Sequence, residues 1–274
     1  MICLKDLHPV SRLRAMAAPL VLALVAVLAG CSSTPKDDQA NSPEKLYADA
    51  KEDLNSGAYD LAIKSLEKVE GRASGTLLAQ QAMLDIAYAK WRINERVEAI
   101  AVLDRFIKLH PSSPALDYAL YLKGIVNFND TMGFLSAISR QDLSERDQQA
   151  SRDAYQAFSQ LSDQFPESKY TFDARARMAY IVNALAEYEV HVARYYYRRS
   201  AYVAAANRAQ LAVREYQGTP AVEEALYIMA TSYDKLGLVA LRDDAERVLK
   251  KNFPQTRYFQ NGMRVPERTW WQFW

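Results

Sequence analysis

The feature that most restricts this chain is an apolar stripe that recurs at fixed offsets and is then cut off. Counted from Ala99, Leu103, Phe106 and His110 stand at +4, +7 and +11, and Pro111 follows. From Ala154 the same places hold Phe158, Leu161 and Phe165, with Pro166 next. From Ala205 they hold Ala209, Ala212 and Tyr216, with Gln217-Gly218 where the proline stood. From Ala62 they hold Leu66 and Val69 before Gly71, which is expected to end that helix early. Residues so spaced fall within ~60° of a helix circumference, so each set forms one buried stripe. A proline after the last stripe residue is a helix stop. A fifth, degenerate copy carries Arg242 and Glu246 at its first two places and ends at Phe253-Pro254. A repeat array needs such a polar unit at its end.

Each of these helices is preceded by another helical pattern, over 43–56, 77–93, 116–128, 172–199 and 221–236. Asn55-Ser56-Gly57-Ala58-Tyr59 and Leu236-Gly237-Leu238 supply short turns inside the pairs. Only nine glycines in 274 residues, and no sustained period-two alternation, disfavour a sheet protein. Small residues at the tight contacts and a terminating proline resemble tetratricopeptide repeats. Anchor spacings of 37, 55, 51 and 37 residues exceed the ~34 of the standard unit. The third unit therefore carries an insertion over 129–147, and the fourth an unusually long first helix. The expected fold is all-α, a right-handed superhelical solenoid of about five tetratricopeptide-like helix pairs over 43–257.

The segment ahead of the array is an address. Lys5, Arg12 and Arg14 form a basic leader, and residues 15–29 run without a charge. Fifteen residues are too few to span a bilayer, which takes ~20, but they suit a signal-peptide core. The run ends at Leu28-Ala29-Gly30-Cys31, which resembles a bacterial lipobox. That resemblance implies cleavage after residue 30, lipidation of Cys31 and, with Ser32 rather than an aspartate next, transfer to the outer membrane. Residues 31–42 then read as a polar tether, and a multiply acylated cysteine gives stable anchoring. Residues 258–274 read as an aromatic tail ending in Trp270-Trp271-Gln272-Phe273-Trp274. Three roles are open to it: capping the last repeat, insertion at the bilayer interface, or occupation of a client groove.

The chemistry on offer is sparse. With 34 basic and 33 acidic side chains there is no clustered positive surplus of the kind that binds nucleic acid. Once the leader is removed the chain keeps His110 and His191, both inside helical patterns, and no free thiol. No phosphate loop, zinc-protease motif or nucleophile elbow occurs. The carboxylate pairs Glu223-Glu224 and Asp243-Asp244 are read as solvated. A non-enzyme without metal or cofactor is expected, and a solenoid of this kind offers a concave surface for peptides and domains.

Several segments resemble one family, the BamD lipoproteins of the outer-membrane β-barrel assembly machinery. They are Asp104-Arg105-Phe106-Ile107 through Pro111, Pro114, Asp117-Tyr118, Tyr121 and Gly124. Further along come Tyr188-Glu189, Val192-Ala193, Tyr195-Tyr196, Arg199, Ala201 and Asn207-Arg208, and in the second repeat Gln80-Gln81, Leu84-Asp85 and Tyr88. The family's Tyr-Pro-Phe segment before the second repeat is here Arg72-Ala73-Ser74-Gly75-Thr76-Leu77. The resemblance implies a non-catalytic scaffold on the periplasmic face of the outer membrane. Its C-terminal repeats would dock a POTRA domain of the insertase BamA, with Arg199, Arg208, Tyr195 and Tyr196 in the docking region. Its N-terminal repeats would receive the C-terminal signals of unfolded barrel proteins and a lipoprotein such as BamC. On the first helices of the first three repeats, Tyr47, Tyr88, Trp91, Tyr118 and Tyr121 are candidates to line that groove. The alternative function is a peptidoglycan-associated repeat lipoprotein that coordinates envelope enzymes.

Overall fold

The computed structural model describes residues 42–128 and 148–263. The leader, Cys31, the tether, the insertion at 129–147 and the tryptophan cluster lie outside the described residues. Among the described residues, ten helices and a final single turn succeed one another: α1 Pro43–Ser56, α2 Tyr59–Arg72, α3 Leu77–Arg92, α4 Arg96–Leu109, α5 Leu116–Asn127, α6 Gln148–Gln164, α7 Thr171–Arg198, α8 Tyr202–Glu215, α9 Ala221–Lys235, α10 Val239–Asn252 and α11 Tyr258–Asn261. Among the described residues there is no strand, and no helix is long and apolar enough to cross a membrane.

The stripes do what their spacing predicts. Ala62, Leu66 and Val69, then Ala99, Leu103 and Phe106, Ala154, Phe158 and Leu161, and Ala205, Ala209 and Ala212 have no exposed surface at all. In the degenerate copy only Leu249, at +7, is fully buried, while Arg242 turns outward to Asp234 and Asp243. Gly71 does not end its helix; α2 runs to Arg72, and the left-handed residue that turns the chain is Gly75, at φ 82°. The missing Cβ at Gly71 weakens a helix without stopping it.

From the second pair on, the first helix of each pair is buried on two faces. On α3, Ala79, Ala82, Ile86 and Ala89 pack into the first core, and Met83, Leu84 and Ala87 into the second. On α5, Ala119, Leu122 and Val126 belong to the second core, and Leu116 and Leu120 to the third. This sharing of a helix between successive cores makes the stack continuous. The longest helix, α7, does it end to end: Ala174, Ile181 and Leu185 lie in the third core, Val190 and Ala193 in the fourth. Its 28 residues make a rod of about 42 Å.

Four of the turns inside pairs are copies of one another. Gly57, Asn94, Ser200 and Gly237 each have positive φ, and the next residue's amide donates five residues back. Those donors are Ala58 to Asp53, Glu95 to Lys90, Ala201 to Tyr196 and Leu238 to Tyr233, at 2.8–3.0 Å. This is the Schellman arrangement, which satisfies the last carbonyls of a helix. Ser200, at φ 58°, occupies a conformation that costs a side-chain-bearing residue roughly 1 kcal/mol. Ser200→Gly is therefore expected to raise stability by about 0.5 kcal/mol, measured as a higher urea midpoint with unchanged slope. A lower midpoint would show that the serine makes a contact the turn needs.

The residues after α10 return to the array. Tyr258 and Phe259 of α11 fold back on α9, where Tyr258 stacks on Tyr227 at 5.6 Å and Phe259 meets the same ring edge-on at 5.7 Å. Met263 packs against the fourth core. Residues 258–263, which the sequence pattern leaves in the tail, are thus part of the folded array.

Candidate functional site

The five groove candidates are half-buried, each packed against a core. On α3, Tyr88 and Trp91 lie 5.8 Å apart, and Arg92 donates from Nη1 to the Tyr88 hydroxyl at 2.6 Å while covering the Tyr59 ring at 5.0 Å. On α5, Tyr118 and Tyr121 meet through a ring outside α5. Tyr170, in the turn before α7, stacks on Tyr121 at 4.7 Å and tilts against Tyr118 at 5.6 Å. The Tyr121 hydroxyl donates to Asp173 at 2.9 Å, and Arg177 holds that carboxylate at 2.6 Å.

Tyr47 joins the row through Asp85, which is 7% exposed in the middle of α3. The Tyr47 hydroxyl donates to Asp85 at 2.8 Å, Gln81 donates at 3.3 Å, and the Lys51 ammonium stands 3.4 Å away. Burial, then the charge and hydrogen bond of Asp85, raise the Tyr47 phenol above its ordinary value. Burial, reinforced by Asp85 and by neighbouring tyrosines, pushes the Tyr118 phenol up to about 12. Both hydroxyls are therefore protonated donors at any physiological pH. The result is a row of amphipathic rings on the first helices of three successive repeats, stitched by carboxylates. Such rings offer large contact area with hydroxyls that reach backbone groups. Asp85, Lys51, Tyr170 and Asp173 are members that the sequence pattern does not single out as groove residues. A signal for Asp85 exists, a lone carboxylate inside Met83-Leu84-Asp85-Ile86-Ala87, whereas Tyr170 sits in a turn with no periodicity to mark it.

The four docking candidates lie together at the other end of the array. Tyr195 is 46% exposed, the Arg199 guanidinium covers its ring at 5.5 Å, and Tyr196 meets it edge-on at 5.7 Å. Arg208 lies off the stripe, as its place three residues after Ala205 requires, and its side chain is 43% exposed. It is also committed internally: its Nη1 donates at 3.0 Å to Glu189 on α7, a carboxylate only 2% exposed. A second buried carboxylate, Glu224 on α9, receives Arg194 Nε at 2.8 Å and the Tyr258 hydroxyl at 3.3 Å. This corrects the reading of Glu223-Glu224 as a solvated pair, for Glu224 is 3% exposed. Its helix faces a guanidinium supplied by α7, thirty residues upstream.

No cluster of histidine, cysteine or carboxylate residues able to hold a metal occurs among the described residues. His110 is tilted against the Phe106 ring at 5.3 Å, a packing role.

The family model and the curated relatives agree on one family. The family model YfiO, described as an outer membrane lipoprotein, matches residues 39–249. The chain is 45% identical over 261 residues to a Neisseria meningitidis serogroup B protein named outer membrane protein assembly factor BamD, covering 93% of this chain and 98% of the relative. A Haemophilus influenzae protein of the same name is 35% identical over 236 residues, covering 86% of this chain and 90% of the relative. Among solved structures it is similar to the MamA protein, at 15% identity and a TM-score of 0.33, covering 83% of this chain and 98% of that one.

Proposed function

This chain belongs to the YfiO family of outer membrane lipoproteins, and from that membership we propose that it is an outer-membrane protein assembly factor of the BamD kind. It works without catalysis, as a scaffold tethered through a lipid on Cys31 to the periplasmic face of the outer membrane. Its N-terminal three repeats take the C-terminal segments of unfolded barrel proteins, and its C-terminal repeats dock a POTRA domain of BamA, with BamC as a further lipoprotein partner. The observation that carries the client half is the ring row from Tyr47 to Tyr121 around Asp85. An extended segment ending in an aromatic residue binds where rings are offered and backbone groups find donors. The protonated hydroxyl of Tyr118 and the second amide N–H of Gln81 meet that need, while the Tyr47 hydroxyl, whose proton goes to Asp85, can still accept. Photo-crosslinking residues placed one at a time at Tyr47, Tyr88, Trp91, Tyr118 and Tyr121 should capture a client C-terminal peptide at two or more positions. Five negative positions, with the same peptide captured elsewhere on the chain, would move the client site away from this groove.

A further inference from the structure

One face of α3 carries four polar side chains in a line. Gln81, Asp85, Tyr88 and Arg92 stand at offsets 0, +4, +7 and +11, the spacing of the buried stripes, so they share one strip of the helix. Asp85 and Arg92, seven residues apart, are separated by about 10 Å along the axis. The line therefore has an anionic point and a cationic one, and the two are held in different ways.

The Asp85 carboxylate is buried and already occupied, since Tyr47, Gln81 and Lys51 all direct donors at it. Arg92 is exposed and rests on rings. Its guanidinium covers Tyr59 at 5.0 Å and Tyr88 at 5.6 Å, and one N–H goes to the Tyr88 hydroxyl. Tyr59 meets Tyr88 edge-on at 6.5 Å, and Trp91 tilts against Tyr88 at 5.8 Å. Among the described residues no carboxylate pairs with Arg92, whereas Arg105, Arg177, Arg194 and Arg208 each hold one. A guanidinium carries five N–H donors in a plane, and a carboxylate takes two of them side by side. The rings fix that plane and leave donors open.

We propose that this line sets the direction in which a client segment lies. Arg92 takes the terminal carboxylate, the rings of Tyr59, Tyr88 and Trp91 receive the final aromatic side chain, and the client backbone runs back along α3 past Asp85 to Gln81 and Tyr47. An extended chain advances ~3.3 Å per residue, so the distance from Arg92 to Asp85 spans about three client residues. The opposite direction would bring the terminal carboxylate toward Asp85, and like charges brought together in an interface are strongly disfavoured. Lys51, the cation beside Asp85, is already committed to it at 3.4 Å. This rests on the proposed reading of the ring row as the client groove.

The test uses the full-length chain and a synthetic peptide of barrel-strand pattern, with alternating apolar and polar residues and a final phenylalanine. The peptide is made as the free acid and as the C-terminal amide. The acid should bind about tenfold more tightly, as a charge-assisted hydrogen-bonded pair requires. Arg92→Gln should lower the acid to the affinity of the amide and, because Arg92 is exposed, melt like wild type. A photo-reactive phenylalanine at the last position of the peptide should label the chain around Tyr88, and one at its first position should label α1 around Tyr47. Equal binding of acid and amide to the wild-type chain, with label still on the ring row, would overturn the carboxylate role and leave the groove reading standing. An acid preference that survives Arg92→Gln would place the carboxylate elsewhere and overturn it too. Labels exchanged between the two ends would overturn the direction. Binding with no label on the first three repeats would overturn the groove reading itself.

Discussion

Gly124→Ala is expected to destabilise the protein by about 3 kcal/mol, because there is no room for one methyl group. A Cβ at Gly124 would lie less than 3.0 Å from Cε1, Cδ1 and Cζ of Phe158. That ring is fully buried and cannot step aside, since Tyr121 tilts against it at 6.2 Å and Phe128 meets it edge-on at 6.4 Å. The contact lies between α5 and α6, so the missing Cβ lets the Phe158 ring of one helix lie against the backbone of the other in the third repeat. Phe158→Leu alone should cost about 1–1.5 kcal/mol. Combined with Gly124→Ala it should cost less than the sum, with a coupling of at least about 1 kcal/mol, because the smaller side chain vacates the methyl's place. Urea unfolding of the four proteins measures this directly. Additive losses would mean that Gly124 is needed for something other than clearance.

Arg194→Met should cost about 3 kcal/mol, and the loss should fall on the C-terminal half. The pair it breaks is almost wholly withdrawn from water, with side chains 14% and 4% exposed, so the remaining Glu224 charge has little solvent to turn to. Taking away one partner of a buried pair is far more damaging than removing both. Adding Glu224→Gln to Arg194→Met should therefore restore at least about 1 kcal/mol. Limited proteolysis should show new cuts after α7, in α8 to α11, with the first three repeats still resistant. On the proposed assignment of the two ends, such a variant should also lose the BamA POTRA domain while retaining the client peptide. Equal protection of both halves, or no recovery in the double variant, would rule the buried charge out as the cause.

The second helices are readable because each is buried on one side only. A stripe such as Ala99, Leu103 and Phe106 stands out against solvent-facing neighbours, and its period is visible in one line of sequence. The first helices after α1 are buried on two faces, so apolar residues such as those of α3 surround the helix and no single stripe dominates. Their limits still fall within a residue of the pattern, because proline, glycine and polar caps mark helix ends independently of periodicity. Side chains whose meaning depends on a distant partner are the illegible part. Glu189 and Glu224 look like ordinary helical carboxylates until α8 and α7 bring Arg208 and Arg194 against them. The groove tyrosines can be picked out by their place on first helices and Asp85 as a lone carboxylate in an apolar run, but Tyr170, which joins Tyr118 to Tyr121, cannot.

The continuity of α7 makes the orientation of the two ends of the molecule a matter of counting. Each residue of a helix rotates the chain beyond it by 100° and advances it by 1.5 Å. Deleting one residue between Leu185, in the third core, and Val190, in the fourth, would swing the C-terminal repeats through roughly a quarter-turn relative to the aromatic groove. Adding seven would lengthen the rod by ~10 Å yet leave the angle within ~20°. The bearing from the ring row of the first three repeats to the last repeats is therefore quantised by the residue number of one helix, and only changes of near-integral turns preserve it.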